Sequence, residues 1–153
     1  MMNLSKLRKK YILKLINLYP PYLGAGVSVR ALNQEETSLE VSMKLRSWNQ
    51  NYVGTHFGGS LYSMCDPWFM LVLIKQLGAE YLVWDKAASI RFVRPGKGRV
   101  RAVFEISKDR VEEIKTSVEK EGKIEPEFQV NVMNEEGEVV AKVHKTLWIK
   151  KKS

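Results

Sequence analysis

Gly58-Gly59-Ser60-Leu61-Tyr62-Ser63-Met64-Cys65-Asp66-Pro67-Trp68-Phe69-Met70-Leu71-Val72-Leu73-Ile74-Lys75-Gln76-Leu77 is the stretch on which the fold turns. Leu61, Met64, Trp68, Phe69, Met70, Leu71, Val72, Leu73 and Ile74 occupy nearly every side of a helix. In a water-soluble protein a helix apolar all round is enclosed nearly all round. Pro67 stands inside it, and proline in a helix interior costs about 3 kcal/mol, so a break or kink is expected near residues 63–67.

The flanking sequence supplies the enclosure. Val27 to Asn33 reads as a strand, Asn33-Gln34-Glu35-Glu36 as a turn, and Leu39, Val41, Met43 and Leu45 alternate with Ser38, Glu40, Ser42 and Lys44 as the return strand. Beyond the helix, Ala88, Ile90 and Phe92 form one strand, Pro95-Gly96-Lys97-Gly98 a turn, and Val100, Ala102, Phe104 and Ile106 the next, which predicts a second hairpin. Asp109 with Glu112 has capping-box spacing, Val111, Ile114 and Val118 make a narrow apolar stripe, and Gly122 ends this surface helix. Phe128, Val130 and Val132, a turn at Asn134-Glu135-Glu136-Gly137, and Val139, Ala141, Val143, Leu147 and Ile149 complete the strands. The expected class is α+β, an antiparallel sheet of about six strands wrapped around one long buried helix.

Before the sheet, Leu4, Leu7, Tyr11, Ile12, Leu15 and Leu18 recur at helical spacing among Lys6, Arg8, Lys9, Lys10 and Lys14, until Pro20-Pro21 stops the helix. Packing on its own domain is commoner for such a helix than lying on a membrane. All 153 residues fit one domain: an N-terminal helix over 1–20, a core over 22–149 and a basic tail over 150–153. The longest apolar run, Pro67 to Ile74, is far short of the roughly 20 residues a membrane span needs, and no cleavable signal follows the N-terminus, so a cytoplasmic protein is expected. One cysteine excludes an internal disulfide, and two histidines are too few for a Cys/His zinc site, so metal-free chemistry is expected. Lys plus Arg number 25 against 17 Asp plus Glu, a formal charge of +8, which favours anionic partners.

The chemistry concentrates between Asn51 and Asp66. Gly54, Gly58 and Gly59 let a ligand approach the backbone, and the first N–H groups of the following helix lack internal partners and carry the positive end of its dipole. They can hold an oxyanion, and Asp66, the one acid on the enclosed helix, can serve as general base or nucleophile. Eight residues at about 1.5 Å rise put Gly58 and Asp66 roughly 12 Å apart along one helix. Base and oxyanion donor must each come within about 3 Å of one reacting group, so a working site takes Gly58 from one chain and Asp66 from another. Asp66 before Pro67 also has the signature of an N-cap and first helical position, so a capping role stands beside the catalytic one.

Asn51-Tyr52-Val53-Gly54-Thr55-His56-Phe57-Gly58-Gly59, followed by Asp66, resembles the hotdog-fold acyl-CoA thioesterases of the phenylacetate-pathway type. The similarity extends over about residues 22–149, including the strand ending in Phe92-Val93-Arg94-Pro95-Gly96. It comes nearest a branch known only as a domain of unknown function, whose members share the Gly-Thr-X-Phe-Gly-Gly and Asp-Pro features. The resemblance implies Gly58 as backbone donor to the thioester carbonyl, Asp66 as base or nucleophile, and Asn51 as a positioning hydrogen bond. The family's histidine position is held here by Phe57, with His56 one place earlier.

The expected function is therefore hydrolysis of an acyl thioester at a site shared between subunits of a dimer or tetramer. Coenzyme A enters only as part of the substrate, without a separate cofactor. Catalytic candidates are Asp66, Gly58, Asn51 and His56, and substrate-binding candidates are Thr55, Phe57, Gly59, Arg94, Lys97 and Arg99. The last three belong, with Arg91 and Arg101, to a basic cluster able to meet phosphates, although for any one of them a solvated basic face is the commoner role. The alternative is an acyl-thioester or fatty-acyl binding protein without catalysis, which Phe57 favours. Lone Cys65 reads as core, Asp85-Lys86 at a strand start either as an ion pair near the site or, more commonly for such charges, as a solvated pair, and His144 as polar-face. Trp48, Trp68, Trp84 and Trp148 read as core or interface, with no basic-aromatic pattern of the RNA-binding kind.

Overall fold

Strict alternation of apolar and polar residues builds one antiparallel sheet with a single buried face. The computed structural model describes residues 15–152. Its strands are β1 (Val27–Ala31), β2 (Ser38–Lys44), β3 (Tyr81–Phe92), β4 (Arg99–Glu105), β5 (Lys123–Ile124), β6 (Glu127–Met133) and β7 (Val139–Lys151). Six lie in the order β1-β2-β4-β6-β7-β3, and the two-residue β5 pairs with β7. Opposite partners such as Leu39 and Phe104, Val41 and Ala102, and Met43 and Val100 fall on the same inner face and are all buried.

The helices are α1 (Pro20–Ala25), α2 (Gly58–Ser63), α3 (Trp68–Leu77) and α4 (Lys108–Glu121). The enclosed element is broken where proline demands it, with Met64 to Pro67 as a turn between α2 and α3. Trp68 fills the centre of the core and donates its indole N–H to the Met64 carbonyl at 2.9 Å, while Phe69 packs on Phe104 and Phe128 with ring centroids 5.1 Å away in each case. A fully buried side chain of this size stabilises by roughly 1.5–3 kcal/mol. Helix α4 lays Val111, Ile114 and Val118 against the domain and leaves its charged face outward.

Several expectations need correction. The helix expected over 1–20 lies largely outside the described residues, of which Ile16–Leu18 form a 3-10 turn. Pro20 and Pro21, expected to stop a helix, start one, because the first turn needs no N–H from them. The second hairpin does not exist: β3 pairs with β7, and β4 pairs with β2 and β6. Residues 93–98 instead carry the chain across the end of the sheet, with the Val93 and Arg94 N–H groups on the Val140 carbonyl. The cap of α4 is Ser107, whose hydroxyl accepts from the Arg110 N–H at 3.2 Å; Asp109 is already inside the helix. Lys150 and Lys151 are no free tail but the end of β7, paired with Leu82 and Tyr81. Strand β3 also carries a bulge, its register on β7 shifting between Asp85 and Ala87.

Candidate active site

The sequence candidates separate into two groups at opposite ends of α2. The first is the loop that enters the helix. Asn51 turns inward on this loop: its Oδ1 accepts from the N–H groups of Val53 and Thr55 at 3.1 and 3.0 Å, and its Nδ2 donates to Thr55 Oγ1 at 2.9 Å and to the His56 carbonyl at 3.4 Å. Its polar atoms are thus spent on shaping the loop. His56 is 2 % exposed, and its Nε2 lies 3.0 Å from the Gly98 carbonyl. A carbonyl only accepts, so Nε2 carries the proton. Burial holds the imidazole below the usual histidine range, offset in part by that hydrogen bond. With its own N–H on the Gly96 carbonyl as well, His56 clamps the 93–98 crossing to the loop and brings Arg94, Lys97 and Arg99 to this end of the molecule. Arg94 is ion-paired with Glu138, the Arg99 N–H meets Glu135 Oε2 at 3.2 Å, and Lys97 is exposed.

The glycines are required by close approach. A Cβ on Gly58 would stand 2.8 Å from the ring of Phe92, and one on Gly59 would stand 2.6 Å from the ring of Phe57. Phe57 sits at the N-cap without a side-chain cap, and its carbonyl takes the N–H groups of Ser60 and Leu61. The N–H groups of Gly58 and Gly59 precede the first intrahelical bonds and point out of the helix start. Beside them a cleft of about 450 Å³ opens between α1 and α2, lined by Pro21, Trp48, Asn49, Phe57, Ser60 and Ser63 among others. Exposed Trp48, Tyr52, Val53, Phe57, Phe92 and Val93 surround this corner.

The second group is Asp66 and its partners. Asp66 does not cap α3, whose N-cap is Pro67 with no side-chain hydrogen bond. Its Oδ1 instead accepts from the Tyr62 hydroxyl at 2.9 Å and from Lys145 Nζ at 3.0 Å. Lys145 is fully buried, also donates to the Tyr62 hydroxyl at 3.2 Å, and stands 3.1 Å from Asp85 Oδ1 as a charge contact. Asp85 and Lys86 do not pair with each other: Asp85 meets Lys145, and Lys86 turns outward to exposed Glu125. Burial alone would lower Lys145, but its hydrogen bonds to Asp66 and Tyr62 and the adjacent Asp85 carboxylate outweigh that and hold it above the usual lysine range. Burial raises Asp85, with the Asp66 charge adding and Lys145 opposing. Cys65, in the same turn and buried, has its thiol pushed up to about 12 by burial and is no nucleophile. Sequence reasoning missed Lys145 and Tyr62. The signal for Lys145 was present: it falls on the inward phase of β7, between Val143 and Leu147, where a lysine requires an acid.

The sequence over residues 8–149 matches the family described as Domain of unknown function (DUF4442). The chain belongs to the DUF4442 family. No curated protein matches this DUF4442 chain. Among solved structures it is similar to a Pseudomonas aeruginosa protein of unknown function described as a "Probable Thioesterase", with a TM-score of 0.80, 19 % identity, and 97 % of this chain and 96 % of the other covered. It is also similar to a thioesterase from Haemophilus influenzae, at TM-score 0.64, 14 % identity, and 99 % and 92 % coverage. The E. coli PaaI protein of the phenylacetic acid degradation operon matches at TM-score 0.62, 17 % identity, and 94 % of each chain. At these identities the likeness establishes the fold, and the DUF4442 chain is a hotdog.

Proposed function

We propose that this protein hydrolyses an acyl thioester, with acyl-CoA as the substrate class, at a site completed by a second copy of the chain. The observation that carries the reading is Asp66: one oxygen is tied down by Tyr62 and Lys145, and the side chain is still 51 % exposed at the break in the central helix. A carboxylate so held can take a proton from water or attack a carbonyl. Gly58 supplies the complementary half, an N–H at a helix start that no side chain of its own obstructs.

Helix α2 and the following turn separate Gly58 from Asp66, which supports a shared site. Self-association is supported by β3, twelve residues long and at the end of the sheet with one edge unpaired among the described residues. Such an edge is a template for another strand. The apolar residues around the glycine corner make a patch of the kind that marks an interface or ligand groove. Arg94, Lys97 and Arg99 would face the phosphates of the coenzyme, which belongs to the substrate. Among the described residues no helix is long and apolar enough to cross a membrane. A cytoplasmic location is part of the proposal.

The test is thiol release from a panel of acyl-CoA chain lengths, wild type against Asp66→Asn. Turnover lost in the variant supports the reading; no turnover at any length, or an unchanged rate, removes it. A second reading, acyl-thioester binding without hydrolysis, is favoured by Phe57, whose ring lies over Gly59 at the position where the resembling enzymes carry histidine. It predicts saturable acyl-CoA binding with no thiol released.

A further inference from the structure

A buried lysine on a sheet face needs a reason, because a well-packed apolar side chain there would stabilise the fold as well or better. Lys145 is 0 % exposed, and Asp85, 26 % exposed and facing inward, already gives it a counter-charge. Asp66 is not needed for that purpose. It is half in water, yet two donors, the Lys145 ammonium and the Tyr62 hydroxyl, converge on its Oδ1, and Lys145 also donates to Tyr62, closing a triangle of 2.9, 3.0 and 3.2 Å. No described hydrogen bond reaches Oδ2. The groups facing this triangle are Tyr62 of α2, Cys65 and Asp66 of the turn, Asp85 of β3, Lys145 of β7 and, further off, Tyr22 of α1.

We propose that Lys145 and Tyr62 are positioning residues for Asp66: by holding Oδ1 they fix the carboxylate rotamer so that Oδ2 is the oxygen presented to the attacking water. This rests on the thioesterase reading above. In the step it serves, Oδ2 takes a proton from water as the water oxygen bonds to the thioester carbon. The C–S bond then breaks, and the proton passes from Asp66 to the departing thiolate. Lys145 keeps its proton throughout and touches neither substrate nor water. Its role is geometric, and displacement of a reacting group by about 1 Å can cost around 100-fold in rate.

The experiment compares Tyr62→Phe, Lys145→Met and Lys145→Arg with wild type, with kcat and KM measured separately. Tyr62 lies partly at the surface, so its phenylalanine variant folds without a buried cost. The expectation is a fall in kcat of about tenfold for Tyr62→Phe and about 100-fold for Lys145→Met at nearly constant KM, with Lys145→Arg recovering at least tenfold over the methionine variant. In parallel, the Asp66 carboxyl carbon is followed by NMR in labelled protein and assigned by its loss in Asp66→Asn. Its resonance moves in Tyr62→Phe and Lys145→Met and returns towards wild type in Lys145→Arg. A carboxyl resonance indifferent to all three variants overturns the positioning role whatever the activity. So does a Tyr62→Phe enzyme with wild-type kcat. Absence of turnover in wild type, with the resonance shifts intact, strikes the thioesterase reading and leaves the tether standing.

Discussion

Replacing Lys145 with methionine removes a cation from the interior while keeping a side chain of similar length for the packing its stem provides. Two carboxylates lose their partner unequally. Asp66, 51 % exposed, is rehydrated at little cost, whereas Asp85, 26 % exposed and on the inward face, is left nearly alone. Breaking a buried pair by deleting one member costs about 3–5 kcal/mol, and with one of the two acids reaching water the lower end applies, about 3 kcal/mol. At a urea slope of roughly 2 kcal/mol/M the unfolding midpoint falls by about 1.5 M, read by circular dichroism at one fixed protein concentration. The double variant Lys145→Met/Asp85→Asn has no orphaned charge and regains half or more of the loss. Acid provides a second check. Burial raises Asp85 in the fold, and removing Lys145 raises it further. A group raised in the fold contributes stability below its unfolded value, about 3.9, that is lost as pH rises through the folded value. The penalty of Lys145→Met therefore shrinks as pH falls towards 4 or so. A single variant within about 1 kcal/mol of wild type at neutral pH, or a double variant that simply adds its losses, refutes the reasoning.

Three further outcomes are expected. His56, held neutral by burial, has a folded value below the usual 6.5 or so, so its contribution is present above that pH and is lost as pH falls through the folded value; proton uptake on unfolding just below about pH 6.5 is smaller in His56→Gln, and an unchanged pH slope counts against the buried neutral imidazole. Gly58→Ala puts a methyl 2.8 Å from the tip of the half-exposed Phe92 ring, which can swing outward; stability stays within about 1 kcal/mol while thiol release falls more than about tenfold, and full activity removes Gly58 from the carbonyl site. Inactive Asp66→Asn and Gly58→Ala subunits, allowed to exchange in equal amounts, recover about a quarter of wild-type activity, since half the dimers are mixed and carry one intact site of two. No recovery, in a mixture shown by native mass spectrometry to contain mixed dimers, excludes a shared site.

What the sequence revealed and what it hid follow from the range of the interactions involved. The enclosed helix and the strand phases were legible because burial repeats every two or 3.6 residues, and the break near Pro67 because proline acts locally. Strand pairing is not local: Val100 to Ile106 alternates identically whether its neighbour is β3 or β2, so the hairpin expected at Pro95–Gly98 was the shortest connection and the wrong one. Asp66 was singled out for its burial context, but its partner lies 79 residues away on β7. The Asp–Pro dipeptide suggested a cap because caps are read from neighbours, and the distant lysine won the side chain instead. Tyr62, four residues before Asp66 and so on the same helical face, could have been found by spacing alone.

The bulge in β3 reverses the parity of that strand. Before it Tyr81, Val83 and Asp85 share a register phase with the inward residues of β7, and after it Ala88, Ile90 and Phe92 do. Without the extra residue, either Asp85 or Phe92 would be turned to the opposite side. One insertion thus lets a single strand bring Asp85 within 3.1 Å of Lys145 with one half and cover Gly58 with the other. The two ends of the site hang from the same beam, and deleting Lys86 would throw them out of phase.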